Sequence, residues 1–491
     1  MKIQMPKVSI AAGLPDRGAA KHLLVLVQKG SRPEKVFAHA LRDQVSRRVA
    51  PGGGKAGKAA PLSATQQDRL LVWAEWDPAA SIFDQQTGVR KALQLINGEC
   101  PSDLDLIIHA EPSTASAGAA LAIQVVLMNS QYQLGKTTNQ AASANVSLKR
   151  LQVFGVAKNF SPARAMAVAE GNLLARALTL RPPNDLTPKR FRADIGKLAK
   201  QNGWQQKEFN YKSLSKLGAG AFCAVAQGSP QQDAAIVRLS YRPPAAAKGR
   251  APVALVGKGI CMDTGGHGLK SAKGMYGMHE DMAGSAVVLG ILKAASDLRL
   301  PVPIDAWLAI AQNHIGPGAY QPGDVVAALD GTTIEVVHTD AEGRMVLADT
   351  LTLATRAKPS CVLDFATLTG AMVHALDSRM SGVFANSSTL AGKAVAAGSA
   401  SGERVVLFPL DADYDEALES KVADVKQCLI GGEGDAIYAA RFLSRFVNAV
   451  PWVHMDLSAY RHIGGLAAVA SDLNGFGVGW GLAMLENPQV A

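Results

Sequence analysis

Residues 254–263 read ALVGKGICMD, an apolar run that passes through a glycine-flanked lysine and ends on an aspartate. The apolar start predicts a strand, and Gly257-Lys258-Gly259 lets its backbone approach other atoms closely. A lysine at the end of a buried strand is costly unless it is paired or loses its proton. A nearby divalent cation favours the neutral amine, which then serves as a nitrogen ligand. Asp263 falls at the mouth of the same strand, where sheets flanked by helices place their ligands. Thr264-Gly265-Gly266 supplies a tight turn, and Lys270 lies in the loop beyond.

Working outward, strand and helix signals alternate: a strand near 251–257, a helix over 281–295, a strand over 304–312, a helix over 344–355 and a strand over 360–368. Strands alternating with helices imply an α/β fold with a sheet covered on both faces. Asp281 opens the apolar helix and on its own reads as an N-cap. A second block, HTDAEGR at 338–344, follows a strand candidate at 334–337. Asp340 and Glu342 are two apart, so in extended geometry both point to one side. Gly343 permits a sharp turn, and Arg344 offers a planar fork for an anion.

Together the two blocks hold Lys258, Asp263, Lys270, Asp281, Asp340, Glu342 and Arg344. Two divalent cations lower the pKa of a shared water toward neutrality, and carboxylates balance their charge. A lysine or arginine beside them stabilises the negative charge of a tetrahedral intermediate. The set therefore points to hydrolysis at a two-cation centre. His267 and His279 invite a histidine–zinc reading, but their spacing fits neither HExxH nor a finger.

The N-terminal third is α/β in character, with strand candidates at 23–27, 104–109 and 122–128. Residues 161–180 predict a helix, with Ser161 as N-cap and Pro162 in its first turn, ended by RPPND. This gives an N-terminal α/β domain over 1–160, a linker helix and junction over 161–184, and a larger α/β domain with a central mixed sheet over 185–491. The glycine- and lysine-rich stretch 50–60 lacks GxxxxGK[ST] spacing and reads as a surface loop.

The chain has 491 residues, 48% hydrophobic and 19% charged, enough for more than one buried core. Its net charge of +9 permits attraction to nucleic acid, with 42–58 the basic segment, but does not demonstrate it. Five scattered cysteines without a CxxC pair argue against a disulfide framework or a thiolate site. A redox role for Cys261, two residues before Asp263, stays open. No apolar run is long enough for a membrane span, the N-terminus lacks a signal-peptide pattern, and the cytoplasm is the expected compartment.

These residues resemble the leucyl aminopeptidase (cytosol aminopeptidase) family of dinuclear metallopeptidases. The pattern GKGxxxD[ST]GGxxLK is met at 257–270, and the family's NTDAEGR block stands here as HTDAEGR at 338–344. Counting from Lys258, the other six residues fall 5, 12, 23, 82, 84 and 86 positions on, as in the family. The likeness runs through 173–484, including LRPPNDLTP, ATLTGA and PWVHMDLS, and the family's N-terminal domain is macro-like. It implies that Asp263 and Glu342 bridge two zinc or manganese ions. Lys258 and Asp281 complete one site and Asp340 the more exchangeable one. Lys270 polarises the scissile carbonyl, and Arg344 holds a bicarbonate that acts as base. Met278, Thr367 and Gly370 line the pocket for the first side chain, and the Leu368 carbonyl contacts the substrate amine. Release of apolar N-terminal residues such as leucine by a homohexamer is implied. A narrower dipeptidase, for instance on cysteinylglycine, uses the same site. The departures are His338 for Asn, Thr264 for Ser, Ser271 for Pro, and His279-Glu280 for Lys-Tyr.

Overall fold

The computed structural model describes residues 3–11, 20–31, 62–66, 69–132, 134, 147–244, 246, 249–487 and 490. The basic segment 42–58 and the loop 50–60 lie outside the described residues. The chain divides into two compact units, Lys2–Glu170 with Ile463–Asp472, and Gly171–His462 with Leu473–Ala491.

In the smaller unit six strands are ordered β1-β6-β5-β2-β4-β3. They are β1 (Lys7–Ile10), β2 (His22–Gln28), β3 (Leu62–Gln66), β4 (Arg69–Trp76), β5 (Asp103–His109) and β6 (Arg150–Phe154). All pairings are parallel except β3 with β4. The run Leu23–Val27 is buried throughout, as expected of a parallel strand covered on both faces. Ser81 caps the helix Ile82–Asn97 by accepting from the Asp84 amide at 3.1 Å. The returning segment Ile463–Asp472 is fastened by Arg90, which donates to the Gly464 and Ala467 carbonyls at 2.8 and 2.9 Å.

Residues 122–128 are not a strand. They are the last two turns of the helix Pro112–Met128, whose Pro112 stands in its first turn. A short apolar run has no decisive period, and here the alanine-rich stretch before it extends the helix.

The larger unit carries a mixed eight-stranded sheet in the order β15-β14-β17-β13-β9-β10-β8-β7. Its strands are β7 (Gln205–Asn210), β8 (Ala235–Tyr241), β9 (Val253–Asp263), β10 (Ile304–Asn313), β13 (Cys361–Ala366), β14 (Ser381–Ala385), β15 (Val405–Leu407) and β17 (Trp452–Asp456). A small sheet of β11 (Val325–Ala327), β12 (Thr333–Glu335) and β16 (Val425–Lys426) lies apart from it. At the centre β17, β13, β9 and β10 run parallel.

The strand near 251–257 is longer than its apolar start suggests. β9 runs through Lys258 to Asp263, so the lysine lies inside the strand. Gly257 and Gly259 face the helix Ala283–Asp297: a Cβ on either would stand 2.7 Å from Ser285. Side chains alternate along a strand, so Lys258 points to the other face, toward the helix Glu342–Arg356. Between Ile260 and Asp263 the strand gains one residue over β10, where Ala311 pairs with Ile260 and Asn313 with Asp263. This bulge turns Asp263 onto the Lys258 face.

Candidate active site

The carboxyl ends of β9, β13 and β17 open into a cavity of about 540 Å³. Lys258 is 3% exposed. Its Nζ lies 2.8 Å from Asp281 Oδ2 and 2.8 Å from Glu342 Oε1, and it donates to the Thr367 carbonyl at 3.0 Å. Lys270 Nζ lies 2.8 Å from Asp263 Oδ2 and 2.5 Å from Asp340 Oδ1. Each ammonium thus sits between two carboxylates. Oxygens of Asp263, Asp340 and Glu342 lie within 4.8 Å of one another, and Glu342 Oε2 is buried without a hydrogen-bond partner.

Crowding of like charge out of water sets the electrostatics. Burial, reinforced by the neighbouring carboxylates and opposed by the lysines, pushes Asp281 and Glu342 up to about 7 and Asp340 up to about 6. Burial pulls both lysines down, but the surrounding carboxylates outweigh it and hold them as ammonium ions. A bound divalent cation reverses this balance, because its charge favours ionised carboxylates and a neutral amine.

Asp281 is not the N-cap of the apolar helix. The helix Ala283–Asp297 starts after Met282 without a side-chain cap, and Asp281 Oδ1 accepts instead from the Thr367 hydroxyl at 2.6 Å. Asp340 and Glu342 are not in a strand either. β12 ends at Glu335, Asp340 stands in a turn, and Glu342 is the first residue of its helix. A strand–turn–helix path brings both to the cavity.

All eleven site residues expected from the sequence line this one cavity, Met278, Thr367, Leu368 and Gly370 among them. His267 and His279 do not. The His267 ring pairs with the Tyr320 carbonyl at 2.9 Å, and His279 stays below the usual imidazole range through burial and the nearby Arg461. Glu280 forms an ion pair with Arg461. Burial raises the Cys261 thiol well above its ordinary value, which disfavours redox reactivity.

Sequence reasoning missed the residues that join the two blocks. Asn313, the last residue of β10, donates to Asp263 Oδ1 at 2.8 Å and to the Thr339 carbonyl at 2.9 Å. The Thr339 hydroxyl donates to the Gly265 carbonyl at 2.6 Å and accepts from the Gly268 amide at 2.7 Å. Asp456 holds the turn after β13, accepting from the Leu368 amide at 3.1 Å and the Thr369 hydroxyl at 2.6 Å. A polar residue ending an apolar strand beside β9 was the available signal for Asn313. Arg344, 2% exposed, donates through Nη2 to Asp435 at 2.7 Å and through Nη1 to the Gln427 carbonyl at 3.1 Å. Asp435 also lines the cavity.

Comparison with known proteins agrees with this geometry. Residues 173–481 match the catalytic domain of the cytosol aminopeptidase family. The chain belongs to the cytosol aminopeptidase family. As a member of that family it is a metal-dependent aminopeptidase, a hydrolase of peptides. It is similar to a probable cytosol aminopeptidase of Methylorubrum extorquens, 39% identical over 358 residues, covering 72% of this chain and 70% of that protein. A second, from an Acidovorax species, is 44% identical over 309 residues, 63% of this chain and 62% of that one. Among solved structures, the bottromycin maturation enzyme BotP in complex with Mn superposes with a TM-score of 0.80. It is 30% identical, and the match covers 95% of this chain and 99% of BotP. A tomato leucine aminopeptidase mutant reaches a TM-score of 0.84 at 24% identity, covering 99% of this chain and 97% of that chain, and shares the fold. Among the described residues of this cytosol aminopeptidase family member, no helix is long and apolar enough to cross a membrane.

Proposed function

We propose that the enzyme releases single N-terminal residues from peptides, with a preference for apolar ones such as leucine, at a centre for two divalent cations. The observation that carries this reading is the pair of lysine ammonium ions, each pinned between two carboxylates in one cavity. Positive charge is what these four carboxylates require, and oxygens of Asp263, Asp340 and Glu342 converge closely enough to share a cation.

Lys258, Asp263, Asp281, Asp340 and Glu342 would hold the ions. When bound, the ions supply a water of lowered pKa and a Lewis acid beside the scissile bond. The Mn-bound BotP supports manganese as one occupant, and zinc is the other candidate. Lys270, 16% exposed in its side chain, donates to the scissile carbonyl and holds the negative oxygen that forms on attack. Met278, Thr367 and Gly370 receive the first side chain, and the Leu368 carbonyl accepts from the α-amine. An amine-binding end restricts cleavage to the first peptide bond.

Bicarbonate on Arg344 does not fit this arrangement. Asp435 occupies one arm of the guanidinium and the Gln427 carbonyl the other, which leaves the buried Nε without a partner among the described residues. An anion there has to displace Asp435 or meet its charge. The relatives' designation as cytosol aminopeptidases supports a cytoplasmic setting, and the family resemblance supports a homohexamer, which sedimentation velocity tests.

The deciding experiment is release of p-nitroaniline from leucyl-p-nitroanilide after chelation and return of Mn²⁺ or Zn²⁺. Turnover that disappears with chelation and returns with metal is expected. No turnover on leucyl substrates with two ions bound per chain would overturn the apolar preference, and a dipeptide panel would then separate a narrow dipeptidase from an inactive centre.

A further inference from the structure

Six carboxylates line the cavity: Asp263, Asp281, Asp340, Glu342, Asp435 and Asp456. The first four surround the two lysines. Asp456 has both oxygens on protein donors, Oδ1 accepting from the Leu368 and Thr369 amides and Oδ2 from the Thr369 hydroxyl. Asp435 is different. Its Oδ1 accepts from Arg344 Nη2 at 2.7 Å, and its Oδ2 has no protein donor among the described residues. Its side chain is 25% exposed, whereas that of Arg344 is 2% exposed.

A partner that serves only to neutralise a buried arginine is itself buried and gives both oxygens to protein donors. Asp435 gives one oxygen to the arginine and leaves the other at the cavity. Arg344 and Asp435 line the same cavity as the carboxylate cluster, and the charge of Glu342 acts on the arginine. Asp435 is held there at the start of the helix Asp435–Ser444, after Gly431, Gly432 and Gly434, all at positive φ. Hydrolysis needs a base close to the attacking water. Asp263, Asp281, Asp340 and Glu342 are the expected cation ligands, Glu342 with a second oxygen also free of protein donors among the described residues, and Asp456 is held by the Leu368–Thr369 turn.

We infer, resting on the aminopeptidase reading above, that Asp435 is the general base of this enzyme and that no exogenous bicarbonate takes part. The water oxygen bonds to the scissile carbonyl carbon while the carbonyl π pair moves onto oxygen, which Lys270 holds. One water proton passes to Asp435 Oδ2. The C–N bond then breaks with its electron pair on nitrogen, and that nitrogen takes the proton back from Asp435. The released amino acid loses its remaining acid proton to solvent. Arg344 orients the carboxylate throughout.

The test compares the metal-loaded wild type, Asp435→Asn and Asp435→Ala in buffer stripped of carbon dioxide, with and without millimolar bicarbonate. The wild-type rate is expected to be insensitive to bicarbonate. Asp435→Asn keeps an acceptor for Arg344 but no base, so kcat falls by about 10²–10⁴-fold with bound metal unchanged. Asp435→Ala frees the guanidinium, and bicarbonate or formate restores part of its rate. Binding of ¹³C-labelled bicarbonate, followed by NMR line broadening, is expected for Asp435→Ala and not for the wild type. Full kcat in Asp435→Asn, or bicarbonate binding and stimulation in the wild type, would overturn the inference. A wild type that turns over no peptide refutes the aminopeptidase reading instead. The bicarbonate-binding measurement still decides whether Asp435 holds the arginine fork.

Discussion

A Cβ on Gly343 would stand 2.7 Å from Lys258 Nζ, so the second block carries a glycine where the first block delivers its ammonium. The obstructed atom is the tip of a long side chain, which can move at little cost to the fold. That tip, however, has three partners to lose. Gly343→Ala is therefore expected to fold with a near-native melting temperature yet bind its cations about 10–100-fold more weakly. Calorimetric titration with Mn²⁺ beside a thermal melt checks both halves.

The raised carboxylates make cation binding a competition with protons. Asp281 and Glu342 titrate near 7 and Asp340 near 6, all above their ordinary values. A carboxylate whose folded pKa is raised stabilises the fold below its unfolded pKa and loses that contribution as pH rises through the folded value. The chelated protein should therefore become less stable from pH 5 to pH 8, whereas metal affinity should rise over the same window. Chemical denaturation with and without Mn²⁺ at the two pH values reads this directly. Equal metal-induced stabilisation at both would contradict it.

Asp349 tests the frame behind the site. It lies on the helix Glu342–Arg356, fully buried, and accepts from the amides of Phe222 and Leu329 at 2.8 and 2.7 Å. Asp349→Ala leaves those amides without partners and should cost about 3 kcal/mol. Burial also pushes Asp349 up to about 7 against the backbone bonds that oppose it. Its contribution is whole below about 4 and falls as pH rises through 7, so Asp349→Asn should flatten part of the wild-type decline. Urea midpoints for both chains across pH 5–8 measure the difference.

Asp456 should separate binding from fold. Asp456→Ala frees the turn that carries Leu368 and Thr369, while β17 stays paired on both sides. We expect kcat/KM to fall by at least about tenfold, since a small misplacement of positioning groups is costly. Metal content should stay unchanged. Steady-state kinetics with metal analysis on the same sample checks it.

The central strands and flanking helices were legible because they are local: β9, β10 and the helix Glu342–Arg356 announce themselves by apolar period and length. Seven charged residues of the cavity stand in two short blocks of sequence, whereas Met278, Thr367, Leu368 and Gly370 were expected from the family resemblance alone. The helix Pro112–Met128 was half misread because its last turns are apolar on every side. Asp281 looked like a cap because an acidic residue just before an apolar helix suits a cap as well as it suits the cavity it lines. Asn313, Asp435 and Asp456 were missed because their roles come from contacts between distant parts of the chain. Arg344 and Asp435, for example, are 91 residues apart, and no local pattern marks such a meeting.

The bulge in β9 also turns a count into a function. Lys258 and Asp263 are five residues apart, an odd number, and in a regular strand odd spacing sets two side chains on opposite faces. The added residue changes the parity. A chain that lost one residue between Ile260 and Asp263 would set the two side chains four apart, on one face of an unbroken ladder with β10. What would part them is straightening the strand at its present length. The extra residue and the bulge are tolerable only together.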